Sequence, residues 1–398
     1  MSSVRTITRS IFKGIMDTYI SIECWILRTA RSFSLRSPHT NAAHKKKVLI
    51  LRKDVIGDFI LFIPTLTYYR EYYKEAEISL VVNTVALELL NQFSFIDKII
   101  PYDGKKFRTN FFYRRNFMHN LAKQGFDTVV HAVYSREYIG DRMVRATGAK
   151  ETIAFESAFG NMSTDGDYSR IIITPADLNE PMRNMFFAQA VTGLQCTLTF
   201  PSLDIQKFDH SEADEVFSKF NLKEKKYCVL LAGAGAPYRT WQLEKFVQIA
   251  DYVVEKYGLS VLISGSKGDI HLSEKIFADV KNKEKIFNIT GLTDLPNFAH
   301  ILQRSLFYFG SETGPLHLAI AVGTPVVCIL GGGHFNRFFP YGNPITNRYI
   351  ADENVSCRGD DWKCSQNLRA GEIAPCIRNI SVSDAVKEIE ALFAILHP

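Results

Sequence analysis

The chain has 398 residues, 46% of them hydrophobic and 22% charged, with a formal net charge of +5. That length exceeds one ordinary core and suits two domains with extras, and the composition excludes a disordered protein. No uncharged apolar run has the length needed to span a bilayer, the mild basicity points only weakly to an anionic partner, and seven cysteines, several inside expected strands, argue for a reducing, cytoplasmic compartment.

Residues 1–44 form a basic amphipathic extension. Ile7, Ile11, Ile15, Ile22 and Ile26 fall mostly at helical spacing, with Arg5, Arg9, Lys13, Arg28 and Arg31 between them. Asp17, Glu23 and the lack of a small-residue cleavage site argue against a signal peptide. The pattern fits a helix lying on an anionic membrane face as well as one packed on the protein itself. Lys47 to Arg52 predicts a buried strand, followed by a polar turn to Asp58 and a helix carrying Phe59, Phe62, Ile63 and Leu66, kinked at Pro64. Strands at Glu77 to Val82, Asp97 to Ile100, Asp127 to Ala132 and Thr152 to Phe155 alternate with helices, which predicts a doubly wound parallel sheet. Lys105 to Arg115 is basic and aromatic. It reads as a solvated helix face with a core stripe, or as a contact surface for a phosphorylated, glycolipid-like acceptor.

A linker is expected from Pro201 to Glu212, after which the alternation resumes. Tyr227 to Ala232 predicts a strand leading into the turn Gly233-Ala234-Gly235, whose amides can approach phosphate closely. Further strands are expected at Ser260 to Ser264, Ile286 to Thr290, Ser305 to Phe309 and Val326 to Leu330, the last two closing the second sheet. Between those two, Gly310 to Gly314 reads as a tight turn. A helix follows with Thr313 as N-cap, Pro315 at its first position, and Leu316, Ala319 and Ile320 on one stripe. The free N–H groups at such a start attract anions, phosphate above all. Cys357, Cys364 and Cys376 do not have a recognised zinc spacing and read as structural thiols, a metal site being the alternative. A last helix is expected from about Ser383, with Val386, Ile389 and Leu392 inward. The expected layout is therefore 1–44 extension, 45–205 first α/β domain, 206–380 second α/β domain, and 381–398 final helix.

In open parallel sheets ligands bind beyond the carboxyl ends of the strands. Every polar turn named above follows a strand, so two facing sheets would enclose one cleft. Two motifs resemble a known family. Glu312-Thr313-Gly314-Pro315, His317-Leu318-Ala319 and Gly323-Thr324-Pro325-Val326-Val327 resemble the donor-site signature of glycosyltransferase family 9, the lipopolysaccharide heptosyltransferases, with Glu312 where the family usually has Asp. Arg52, Gly57 and Asp58, with Pro64 downstream, resemble its first signature. The resemblance implies a GT-B fold of two Rossmann-like domains, acceptor side first and nucleotide-sugar side second, with the final helix crossing back to the first domain. It implies inverting transfer of a heptose, with ADP-heptose as donor, to a lipopolysaccharide-core or other glycolipid acceptor, without cofactor, metal or nucleic acid. Such an enzyme would work at the inner face of the inner membrane.

On residues alone Asp58 reads as a helix cap; the resemblance makes it the general base that takes the acceptor's proton. Arg239 falls where relatives often carry Lys, and a cation there would offset charge on the leaving diphosphate. Gly233, Ala234, Gly235, Glu312, Thr313, Gly314, Pro315 and His317 would hold the donor, His317 in a structural role. Asp269 reads as a helix cap. Two rivals share the expected cleft: a nucleotide-sugar epimerase of the same fold, and a non-catalytic protein that binds a nucleotide sugar or glycolipid.

Overall fold

The structure, a computed structural model, describes residues 45–157, 162, 164–364, 368–369 and 371–397; the extension expected at 1–44 lies outside the described residues. The first sheet holds β1 (Lys47–Arg52), β2 (Glu77–Asn83), β3 (Lys98–Tyr102), β4 (Thr128–His131), β5 (Glu151–Phe155) and β6 (Arg170–Ile172), in the order β3-β2-β1-β4-β5-β6. Every pairing is parallel. The first strand is central because its Val-Leu-Ile-Leu run is buried on both faces, as parallel sheets covered by helices require. Helices α1 (Ile56–Phe62), α2 (Leu66–Tyr72), α3 (Gly104–Thr109), α4 (Phe111–Gln124), α5 (Tyr138–Thr147) and α6 (Glu180–Thr192) flank it. Pro64 interrupts the first helical run as expected, inside a 3₁₀ turn at Ile63–Thr65 that separates α1 from α2.

The second sheet repeats the winding. It holds β7 (Tyr227–Leu231), β8 (Ser260–Ser264), β9 (Ile286–Asn288), β10 (Tyr308–Ser311), β11 (Val326–Ile329) and β12 (Asn347–Ile350), in the order β12-β11-β10-β7-β8-β9. All its pairings are parallel too. Its helices are α7 (Ser211–Lys219), α8 (Leu243–Tyr257), α9 (Ile270–Asp279), α10 (Leu295–Arg304), α11 (Gly314–Ala321), α12 (Pro375–Arg378) and α13 (Val382–Leu396). In both sheets the chain reverses its direction of travel beside the first strand, between β1 and β4 and between β7 and β10. Those are the switch points where such folds bind ligands.

Four expectations change. The short strands β6 and β12 carry too few residues to show a pattern. β12 is the sheet edge, so the main motif lies inside the second sheet instead of closing it. The strand expected at Ser305 to Phe309 begins at Tyr308 and runs on through Gly310 and Ser311. A Cβ on Gly310 would come 2.6 Å from the Leu231 carbonyl oxygen, so central packing, not turn formation, selects that glycine. The final helix does not cross back to the first domain. Ala385, Ile389 and Leu392 of α13 are buried in the same cluster as Val327, Ile329 and Ile350. Phe393 stacks on Tyr257 of α8 with ring centroids 3.8 Å apart, and Arg348 of β12 pairs with Glu388 at 2.6 Å. The apolar side of α13 has its match on the outer face of the second sheet, and that burial decides its place.

Candidate active site

The two halves meet where α1 and α11 begin. A Cβ on Gly314 would overlap Ile56 Cγ2 and lie 3.5 Å from the Gly57 nitrogen, and one on Gly57 would come 2.9 Å from His317 Cδ2. Glycine at both positions lets the two helix starts touch. One apolar cluster runs through the junction, from Ile60 and Phe62 in the first half to Leu316 and Leu318 in the second.

Asp58 follows this contact by one residue. Val55 holds the N-cap position of α1, and no side-chain cap hydrogen bond is made there, so the cap reading of Asp58 does not hold. Beneath it, fully buried Arg52 donates to the Asp58 main-chain oxygen at 3.0 Å and to Asn184 Oδ1 at 3.2 Å. The same guanidinium pairs with Asp54 at 3.1 Å and Glu180 at 3.5 Å. Burial, then the charge of Asp54 and more weakly of Glu180, push the Asp58 carboxyl well above the usual carboxylate range against the pull of Arg52 and Arg337. A raised carboxyl pKa makes a stronger base.

Across the junction, Glu312 is buried at the carboxyl end of β10. Arg239 donates to its main-chain oxygen and to Oε2, both at 3.3 Å. His317 Nε2 lies 3.7 Å from Oε1 and His334 Nδ1 3.8 Å from Oε2. Burial alone would raise the Glu312 carboxyl; the facing His317 and His334 rings, with the Arg239 charge, outweigh it and hold the group down at about 2. The other ring nitrogen of His317 lies 3.0 Å from the Tyr341 hydroxyl, and the two rings stack. His317 is therefore held between Tyr341 on one side and Glu312 on the other. Thr313 occupies the N-cap position of α11 and Pro315 its second helical position, but no side chain caps the helix. Its positive end is left available to an anion.

A cavity of about 450 Å³ lies between the halves, within the usual size of a small-ligand site. Gly233, Ala234, Gly235, Thr313 and Pro315 line it from the second half, and Val55 and Val85 from the first. Asp269 caps as expected: the Ser266 main-chain N–H and hydroxyl donate to its Oδ2 at 2.9 and 2.6 Å. It also lines the cavity, and a Cβ on Gly233 would stand 2.7 Å from its Oδ1. All the expected site residues thus gather around one junction.

Sequence reasoning missed His334, Arg337 and Trp362, which come from the irregular chain after β11. The one available signal was Gly331-Gly332-Gly333: a Cβ on Gly331 or Gly333 would overlap the Trp362 ring. That ring in turn carries the Arg239 guanidinium, 4.8 Å from its centroid. Arg337 donates to Ser135 of the first half, pairs with Asp361 at 2.7 Å, and accepts the Glu180 N–H on its main-chain oxygen at 2.7 Å.

Residues 142–364, more than half of the chain, match the family described as glycosyltransferase family 9 (heptosyltransferase). The lipopolysaccharide core heptosyltransferase OpsX of Haemophilus influenzae is 24% identical over 318 residues, 78% of this chain and 86% of its own. Lipopolysaccharide heptosyltransferase 3 of Escherichia coli is 19% identical over 313 residues, 74% of this chain and 86% of its own. The crystal structure of a family 9 glycosyl transferase from Veillonella parvula has a TM-score of 0.72 at 17% identity, over 90% of this chain and 100% of that one. The E. coli ADP-heptose heptosyltransferase II structure gives 0.66 at 16%, over 88% and 100%. These solved structures share the GT-B arrangement of two Rossmann-like domains. A family match of this extent, on a fold that solved members of the family share, makes the chain a member of glycosyltransferase family 9 and so a glycosyltransferase.

Proposed function

We propose that this chain transfers a heptose from ADP-heptose to a lipopolysaccharide-core or related glycolipid acceptor, with inversion at the anomeric carbon. The names of the relatives support the sugar and acceptor class, and the E. coli heptosyltransferase WaaC, solved with ADP-2-deoxy-2-fluoro heptose, supports the donor. The observation that carries the reading is the Gly57–Gly314 contact, which sets the helix bearing Asp58 against the helix that would receive the diphosphate. Residues 45–205 are the acceptor side in this reading and 206–380 the donor side.

The acceptor hydroxyl oxygen attacks the anomeric carbon from the face opposite the diphosphate. As the new C–O bond forms, the bond to the diphosphate oxygen breaks and its electron pair leaves on ADP. Asp58 takes the hydroxyl proton. The start of α11, the Gly233–Gly235 turn and Arg239 meet the charge growing on the leaving group, so the transfer needs no divalent cation at the diphosphate. Glu312 keeps the usual acidic charge one methylene further from the backbone and orients Arg239, His317 and His334.

A lipid-anchored acceptor calls for work at a membrane surface on the cytoplasmic side. No helix among the described residues is long and apolar enough to cross a membrane; in this reading the contact is made by the basic residues of 1–44 and the basic face at Lys105 to Arg115. The test is transfer from ADP-heptose to deacylated core oligosaccharide, read as ADP release and product anomeric configuration. An inverted product is expected, and Asp58→Ala should abolish turnover while circular dichroism stays native. Normal turnover by a folded Asp58→Ala protein would remove the proposed base. Conversion of ADP-heptose with no acceptor present would point to an epimerase.

A further inference from the structure

The thiols left unassigned by the sequence come together. The sulfur atoms of Cys357 and Cys364 and a carboxylate oxygen of Asp360 lie within 4.8 Å of one another, all half-buried. Buried Cys376, at the start of α12, packs against Gly332, its sulfur 3.7 Å from where a Cβ there would stand, and the Gly332 carbonyl accepts the Gly359 N–H of the same loop at 2.8 Å.

We propose that Cys357, Asp360, Cys364 and Cys376 form a structural binding site for one thiolate-preferring divalent cation of the zinc type. A tetrahedral ion with sulfur at about 2.3 Å and oxygen at about 2.1 Å needs ligand atoms about 3.5–3.8 Å apart. The ligand atoms of Cys357, Asp360 and Cys364 are no more than 4.8 Å apart, about 1 Å beyond that spacing at most. The backbone is already set for it. Asp360 accepts the Trp362 N–H at 2.9 Å and the Cys364 N–H at 3.2 Å. Gly359 and Asp361 donate to Gly332 and Gly333 at 2.8 and 3.0 Å. A bound cation would stabilise the thiolates that hold it. The cysteines are spread over the loop and not arranged as close pairs, which is why their spacing resembles no zinc motif.

The placement gives the cation a task distinct from the transfer chemistry. Trp362 lies between Cys357 and Cys364 in the chain, and its ring sits on Gly331 and Gly333, under Arg239 and beside His334, with centroids 5.8 Å apart. Closing the loop on a cation fixes this ring, and so the floor beneath the Arg239–Glu312–His334 group. With all ligands supplied by protein the site is closed, as structural sites are.

The test uses the full chain purified with reductant and without chelator. Elemental analysis should find about one zinc or iron per chain, and a Cys357→Ser/Cys364→Ser double variant should fall to background. Should that variant fold poorly, chelated wild-type protein titrated with Co(II) gives an independent reading. It should show an intense near-ultraviolet thiolate-to-cobalt band with tetrahedral visible bands, weakened in Cys376→Ser. A wild-type chain that holds no metal and gives no such band overturns the proposal. So does a Cys357–Cys364 disulfide that persists in the protein purified with reductant, or full metal retention in the double variant.

Discussion

Asp58 and Glu312 are both acids near one junction, and their surroundings drive them in opposite directions. Asp58 is half-buried beside Asp54 and Glu180, and its carboxyl rises. Its ionised form is the one the fold disfavours, so its cost to stability appears as pH climbs past the ordinary 3.8. Asp58→Asn should therefore raise Tm at neutral pH while lowering kcat by about 10²- to 10⁴-fold. The acid limb of the wild-type kcat/KM profile should lie above the usual carboxylate range, with activity rising as Asp58 loses its proton. Calorimetry and a pH–rate series check the two halves. Glu312 is lowered from 4.5 to about 2 by its partners. Its stabilising contribution is present above pH 4.5 and is lost as pH falls towards 2. Glu312→Gln should cost about 3 kcal/mol in urea unfolding at pH 7, because Arg239 loses a buried partner, and should flatten the acid side of the stability curve. Neither shift was legible in the sequence: Asp54 and Arg52 are local to Asp58, but Glu180 and Arg337 arrive from distant segments.

At the scale of the element, the α1–α11 contact is the feature most exposed to test. Gly57 and Gly314 read as turn residues in the sequence; in the structure each is the surface on which the other helix rests. Gly314→Ala should cost about 1–3 kcal/mol through overpacking against Ile56 and reduce transfer by separating Asp58 from the donor side. Adding Ile56→Ala should recover much of both losses, as a double-mutant cycle of stability and kcat/KM would show. The Pro64 break between α1 and α2 was legible because proline removes a helical hydrogen bond wherever it falls. The true bounds of β10 were not, because Gly310 is held extended by the strands beside it.

For the whole molecule, the first half presents an unbalanced charge. From Gly104 to Phe126 there is no acidic residue. Lys105, Lys106, Arg108 and Arg115 are exposed there, and Phe112 is 74% exposed, while Phe107 and Phe117 fill the core beneath. The solvated face with a core stripe is thus what the structure shows, and that face is suited to an anionic surface. Reversing Lys105, Lys106 and Arg108 to Glu should lower binding to phosphatidylglycerol-containing vesicles by more than about tenfold, since each cation near such a surface contributes about 1 kcal/mol. Turnover on a deacylated, soluble acceptor should be unchanged. Vesicle co-sedimentation alongside the soluble assay separates the two effects.

The sequence by itself determined the two α/β halves, the positions of most of their strands along the chain and the turns that follow those strands. Those follow from periodicity and from strand-to-helix punctuation, which act within a few residues. Tertiary structure alone decided that α13 lies on the second sheet, that Asp58 stands over the Arg52–Asp54–Glu180 group and not at the helix cap, and that Trp362 floors Arg239. Each of these depends on which surfaces exclude water together and which charges they bring along. Burial and Coulomb interaction act between atoms near in space, and distance along the chain does not report them.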